Sequence, residues 1–129
     1  MPWTTSFDAS RGILRIRTEG EYTPAVNSGI LRDVVDHALQ DACRHILVDH
    51  RASDAGFAIT AIYSIPDELR KFAVTRQCHL AVVFDMLTTE RRFFETVLVN
   101  QGFDVRIFTD AGEAVRWLEH GNPPVLGRT

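Results

Sequence analysis

The residues with the most chemical potential fall where strands should end: Asp49, His50, Arg51, Asp85, Thr109 and Asp110. Ligands of parallel sheets favour the carboxyl ends of the strands. Three carboxylates and an imidazole on one rim are the types needed to hold a cation or to move a proton. The plainer use of such carboxylates is to accept the orphan N–H groups of a helix start or loop, and that reading is taken for Asp85 and Asp110. An acidic pocket of the response-regulator kind would also need a lysine after the last strand, and none follows Phe108. Acid–base catalysis would require one cleft to hold Asp49, His50 and Asp85 together.

Cys43, His45, Cys78 and His79 offer two thiols and two imidazoles near the amino ends of two strands. These are zinc-ligand types. Their spacing is not that of a finger, and strand alternation sends Cys78 and His79 to opposite faces. Buried free cysteine behaves as a small hydrophobe, which is the reading taken. There is no Gly-x-Ser-x-Gly elbow and no glycine-rich phosphate cradle. No catalytic residue, metal or cofactor is therefore expected. Arg91, Arg92 and Glu95 read as an exposed charged stripe beside Phe93 and Phe94, which line a broad apolar face. Trp117 reads as core and Tyr63 as a surface hydroxyl.

The elements that must carry these residues follow from apolar periodicity. Trp3 to Phe7 and Ile13 to Thr18 read as a β-hairpin closed by Gly20, with turn residues from Asp8 to Gly12. Thr23-Pro24 starts a helix of about five turns, with Val26, Ile30, Val34, Ala38 and Ala42 recurring on one side. His45 to Asp49 is a strand apolar enough for burial on both faces, and Arg51 to Gly56 is read as a loop. Helical spacing runs from Phe57 to Ala73. Pro66 predicts a break there, into a two-turn helix and a second one capped by Ser64. His79 to Asp85 is the fourth strand, and a helix capped by Thr88 or Thr89 ends at Gly102, with Phe103 folding back. Phe103 to Thr109 is the fifth strand, and Asp110 with Glu113 has capping-box spacing for a last helix that Gly121 to Pro124 stops. The expected class is α/β, with a mixed, mostly parallel five-stranded sheet, an N-terminal hairpin and flanking helices.

At 129 residues the chain is expected to be one domain spanning 1–129. Its 45% hydrophobic and 24% charged residues are ordinary globular values. Net charge is −3, from fourteen basic and seventeen acidic residues that intermingle, so a nucleic-acid-binding face is disfavoured. The start, MPWTTSFD, has no signal-peptide pattern, and no apolar run approaches the roughly twenty residues that span a bilayer. A cytoplasmic protein with reduced thiols and no membrane insertion is expected.

The element order and strand lengths resemble the STAS domains of anti-sigma-factor antagonists, and more closely the small bacterial SpoIIAA-like (STAS/SEC14-type) proteins. The resemblance is carried by Ile46-Leu47-Val48-Asp49-His50-Arg51, by Ile62-Tyr63-Ser64-Ile65-Pro66 with Leu69-Arg70-Lys71, and by Arg91-Arg92-Phe93-Phe94-Glu95 through Asn100-Gln101-Gly102. It continues through Val105-Arg106-Ile107-Phe108-Thr109-Asp110, Ala114 and Trp117-Leu118. It implies a non-catalytic regulatory domain that binds a protein partner, with a homodimer also compatible. The contact surface it implies comprises Arg51, Ser53, Asp54, Gly56, Phe57 and Thr60. In the antagonists a phosphorylated serine follows the third strand. The nearest match here is Ser53-Asp54-Ala55-Gly56, which puts Ala55 at that position. The alternative is a small apolar, lipid-like ligand enclosed by Ala58, Ile62, Tyr63, Phe72 and Phe94.

Overall fold

A computed structural model describes residues 2–54 and 59–120. Five strands form one sheet in chain order: β1 (Trp3–Asp8), β2 (Ile13–Glu21), β3 (His45–Asp54), β4 (His79–Val83) and β5 (Asp104–Phe108). β1 runs antiparallel to β2, and the remaining neighbours are parallel. The helices are α1 (Pro24–Gln40), α2 (Ile59–Arg70), α3 (Thr89–Asn100) and α4 (Ala111–His120), with a 3-10 turn over Ala73–Gln77. The sequence showed the class, the hairpin and the parallel core.

Local chemistry sets the element ends. In the β1–β2 turn the Asp8 carboxylate accepts from the Ser10 hydroxyl at 2.7 Å and from the Ser10 amide at 3.1 Å. Thr23 accepts from the Val26 amide at 3.2 Å, and Thr88 accepts from the Arg91 amide at 3.2 Å. Asp110 does the same for the Glu113 amide at 2.9 Å. α3 closes as read: Gly102 takes φ +91°, the Phe103 amide donates to the Leu98 carbonyl at 3.1 Å, and Phe103 is buried.

Three expectations change. α1 ends at Gln40, and Ala42 lies beyond it at φ +54°, a left-handed conformation that its β carbon disfavours. The chain must reverse there to enter β3. Second, β3 continues to Asp54, so four of the six residues of the expected Arg51–Gly56 loop, Arg51 to Asp54, are strand. A register shift between Arg17 and Glu19 lets β2 keep pace, pairing Glu19, Gly20 and Glu21 with Ala52, Ser53 and Asp54. Third, α2 runs through Pro66 without dividing. A proline inside a helix costs about 3 kcal/mol. Here Pro66 is buried, and Ile65 and Leu69 pack on the α3 cluster of Phe94 and Leu98, which offsets that cost.

Alternation along the strands separates two helix layers. Leu14, Ile16, Ile46 and Val48 face α1, while Val82, Val105 and Ile107 pack with α3 residues Phe94 and Leu98. Ile13, Leu47, Ala81, Val83 and Phe108 face α4 through Ala114, Val115, Trp117 and Leu118. The carboxyl ends of β2 to β5 form one rim, above the three-helix face on one side and α4 on the other.

Candidate functional site

β2 continues its inward pattern, Leu14, Ile16, then Thr18, and so places a hydroxyl where a core methyl would be expected. Thr18 is 1% exposed and His50 on the neighbouring strand is 4% exposed. Thr18 Oγ1 lies 2.7 Å from His50 Nδ1 and donates to Ser53 Oγ at 2.8 Å. Ser53 Oγ in turn donates to the His50 carbonyl at 3.1 Å. The imidazole stacks on Phe84, with ring centroids 5.5 Å apart, and meets the edge of Tyr22 at 4.8 Å. Burial pushes its pKa from 6.5 down to about 4; the Asp49 charge opposes this and the Arg91 charge adds to it. His50 is thus a neutral, core-embedded imidazole.

Asp49 points to the other face. Arg51 grips it with two guanidinium hydrogen bonds, at 3.0 and 2.8 Å, and a backbone bond at 3.0 Å. Burial alone would raise the Asp49 carboxyl, but the hydrogen bonds and charge of Arg51, helped by Arg17, hold it below the usual range. Asp85 is held low first by its hydrogen bond from Arg91, at 2.7 Å. The same guanidinium donates to the Met86 carbonyl at 2.6 Å and lies 4.6 Å over the Phe84 ring. Asp49, His50 and Asp85 do not share a cleft. Each has a separate, occupied role.

The expected exposed stripe on α3 is only partly present. Arg92 is exposed, but the Arg91 side chain is 11% exposed and Glu95 Oε2 accepts the Ile107 amide of β5 at 2.8 Å. Arg91 is drawn in by Phe84 and Asp85, and Glu95 by the unpaired edge of β5. Phe94 is buried and Phe93 partly so, both against the α3–β5 core, as read. Trp117 is buried against Phe108.

Of the residues expected to meet a partner, Arg51 is exposed in β3, Ser53 is half-buried, and Asp54 is the last residue of that strand. Thr60, Ile62 and Tyr63 belong to α2. Gly56, Phe57 and Ala58 lie outside the described residues, as does Ala55. Phe72 is 39% exposed, whereas Phe94 lines a cavity of about 90 Å³ between the sheet and the three-helix layer. Ile30 and Val34 of α1, Ile46 and Val48 of β3, and Leu98 of α3 supply much of its wall. Tyr22, Asn27 and His50 also line it. A cavity that holds benzene is about 150 Å³. The space between the described residues is smaller than that. Sequence reasoning missed Thr18, Tyr22 and Asn27; the period-two pattern of β2 was the available signal for Thr18.

At the amino ends of the strands, Cys43 and Cys78 are buried free thiols. Burial raises the Cys78 pKa, and both thiols donate to backbone carbonyls. The His45 and His79 rings lie 5.1 Å apart, and His79 bonds Asp104. Among the described residues no group of three or more His, Cys, Asp or Glu is arranged to hold a metal.

No protein-family model and no curated protein matches this sequence. Solved structures do. An anti-sigma factor antagonist from Mycobacterium paratuberculosis aligns over 90% of this chain and 93% of its own, with TM-score 0.56 and 16% identity. The anti-sigma factor antagonist SpoIIAA in its unphosphorylated form aligns over 92% and 98%, with TM-score 0.60 and 13% identity. An uncharacterised protein with a SpoIIAA-like fold from Shewanella loihica aligns over 90% and 93%, with TM-score 0.61 and 15% identity. The chain has a SpoIIAA-like fold. Identities this low establish the fold alone. Among the described residues, no helix is long and apolar enough to cross a membrane.

Proposed function

We propose that this SpoIIAA-like domain is a non-catalytic, regulatory protein-binding module of the bacterial cytoplasm. Its contact surface is the rim from Arg51 to Thr60, extended by the Asp85–Met86 corner. The observation that carries this reading is the pairing on that rim. Asp49 is held by Arg51, Asp85 by Arg91, and His50 is enclosed as a neutral ring. Groups so engaged are poorly placed to exchange protons with a substrate. What the rim offers outward suits an interface: the Arg51 guanidinium and the Met86 side chain, 60% exposed. Two structurally similar proteins are anti-sigma factor antagonists, which supports a protein partner.

Within this reading Ala55 has a specific consequence. By the resemblance, Ala55 falls at the position of the antagonists' phosphorylated serine, and on this reading the partner is engaged without a phosphate switch at that position. The test is affinity capture from a lysate of the source organism, comparing the unaltered chain with an Arg51→Glu, Met86→Asp variant of matching circular dichroism. A specific partner retained by the first and lost by the second supports the proposal. Equal capture by both moves the contact surface elsewhere.

A further inference from the structure

The hydroxyl network beside the cavity determines what chemistry the cavity can accept. Ser53 donates its proton to the His50 carbonyl, and Thr18 donates its own to Ser53. A second Thr18 approach, to the Asp49 carbonyl at 3.3 Å, also uses that single proton. A hydroxyl has one proton to give. With the protons so placed, the remaining contact, Thr18 Oγ1 to His50 Nδ1, is made by an Nδ1–H donor. The imidazole is neutral, so its Nε2 bears a lone pair. No hydrogen bond to Nε2 occurs among the described residues, and His50 lines the cavity. A side chain 4% exposed thus presents an open acceptor to an otherwise mostly apolar space.

We propose that the cavity between α1, α3 and the sheet is a binding site for a small neutral molecule with one hydroxyl donor, a short-chain alcohol, whose O–H meets His50 Nε2. Size sets the chain length. Scaling from a cavity of about 150 Å³ for the six carbons of benzene, 90 Å³ holds about four heavy atoms. Val34, Val48, Phe94 and Leu98 contact the alkyl part. An isosteric acceptor would bring two lone pairs together, which is disfavoured. Charged ligands are excluded by the same walls. This site is independent of partner binding at the rim.

The probe pair is 2-propanol and acetone, equal in heavy atoms and differing in the donor. Nitrogen-15 spectra of the imidazoles in the free chain at neutral pH should show His50 as the Nδ1–H tautomer. Titration with 2-propanol should give saturable shifts at Val34, Val48, Phe94 and Leu98 and at His50 Nε2, with acetone at least several-fold weaker. In His50→Phe the preference between the two should vanish. An Nε2–H tautomer, non-saturating shifts, or equal binding of 2-propanol and acetone to the unaltered chain would each overturn the proposal. The tautomer and the probe comparison need no variant, so a poorly folded His50→Phe chain does not weaken the test.

Discussion

Thr18 joins His50 and Ser53 across two parallel strands, and its removal takes a hydrogen-bond partner from the buried His50 and the half-buried Ser53. Thr18→Val keeps the shape and deletes the hydroxyl. It should lower unfolding free energy by ~1–3 kcal/mol in urea titrations. His50 contributes a pH dependence of definite sign. Its folded pKa, about 4, lies below the ordinary 6.5, so the folded state binds a proton less readily than the unfolded chain. The associated stability is complete above pH 6.5 and is lost as pH falls towards 4. At about 1.4 kcal/mol per pH unit, the loss approaches about 3 kcal/mol. Urea midpoints measured between pH 7 and 4 should fall more steeply for the unaltered chain than for His50→Phe. Parallel pH profiles would contradict a neutral buried imidazole.

At the scale of the element, α3 does more than cover the sheet. Glu95 takes up the Ile107 amide on the outer edge of β5, where a free strand could otherwise pair. Glu95→Ala should cost about 1 kcal/mol and shift the chain towards larger species in light scattering at high concentration, through exposure of that edge. Unchanged stability and size would show that the contact guards nothing. The periodic elements were legible in the sequence because their burial patterns are simple. Thr88, Asp110 and Gly102 marked helix ends through local hydrogen bonding alone. What was hidden depends on distant partners: β3 reaches Asp54 because the bulged β2 follows it, and α2 continues through Pro66 because α3 packs against it. Arg91 left the surface for a nearer reason, since Phe84 and Asp85 in the connection between β4 and α3 lie against its guanidinium.

For the whole molecule, one sheet separates a three-helix face from the single helix α4, and the strand ends of both faces meet at one rim. The sequence already placed Asp49, His50, Asp85 and Asp110 there. It did not show that Asp49 and His50 point to opposite faces with different partners, because one-residue alternation decides that only once the buried face is known. The central claim is that this rim, and not a reaction centre, is the working surface. Its most direct test is hydrogen exchange on the complex recovered by affinity capture. The account predicts that partner binding slows exchange at residues 51–60 and 85–87 and leaves β1 and the exposed side of α1 unchanged. Protection confined to those latter elements, with none on the rim, would contradict it.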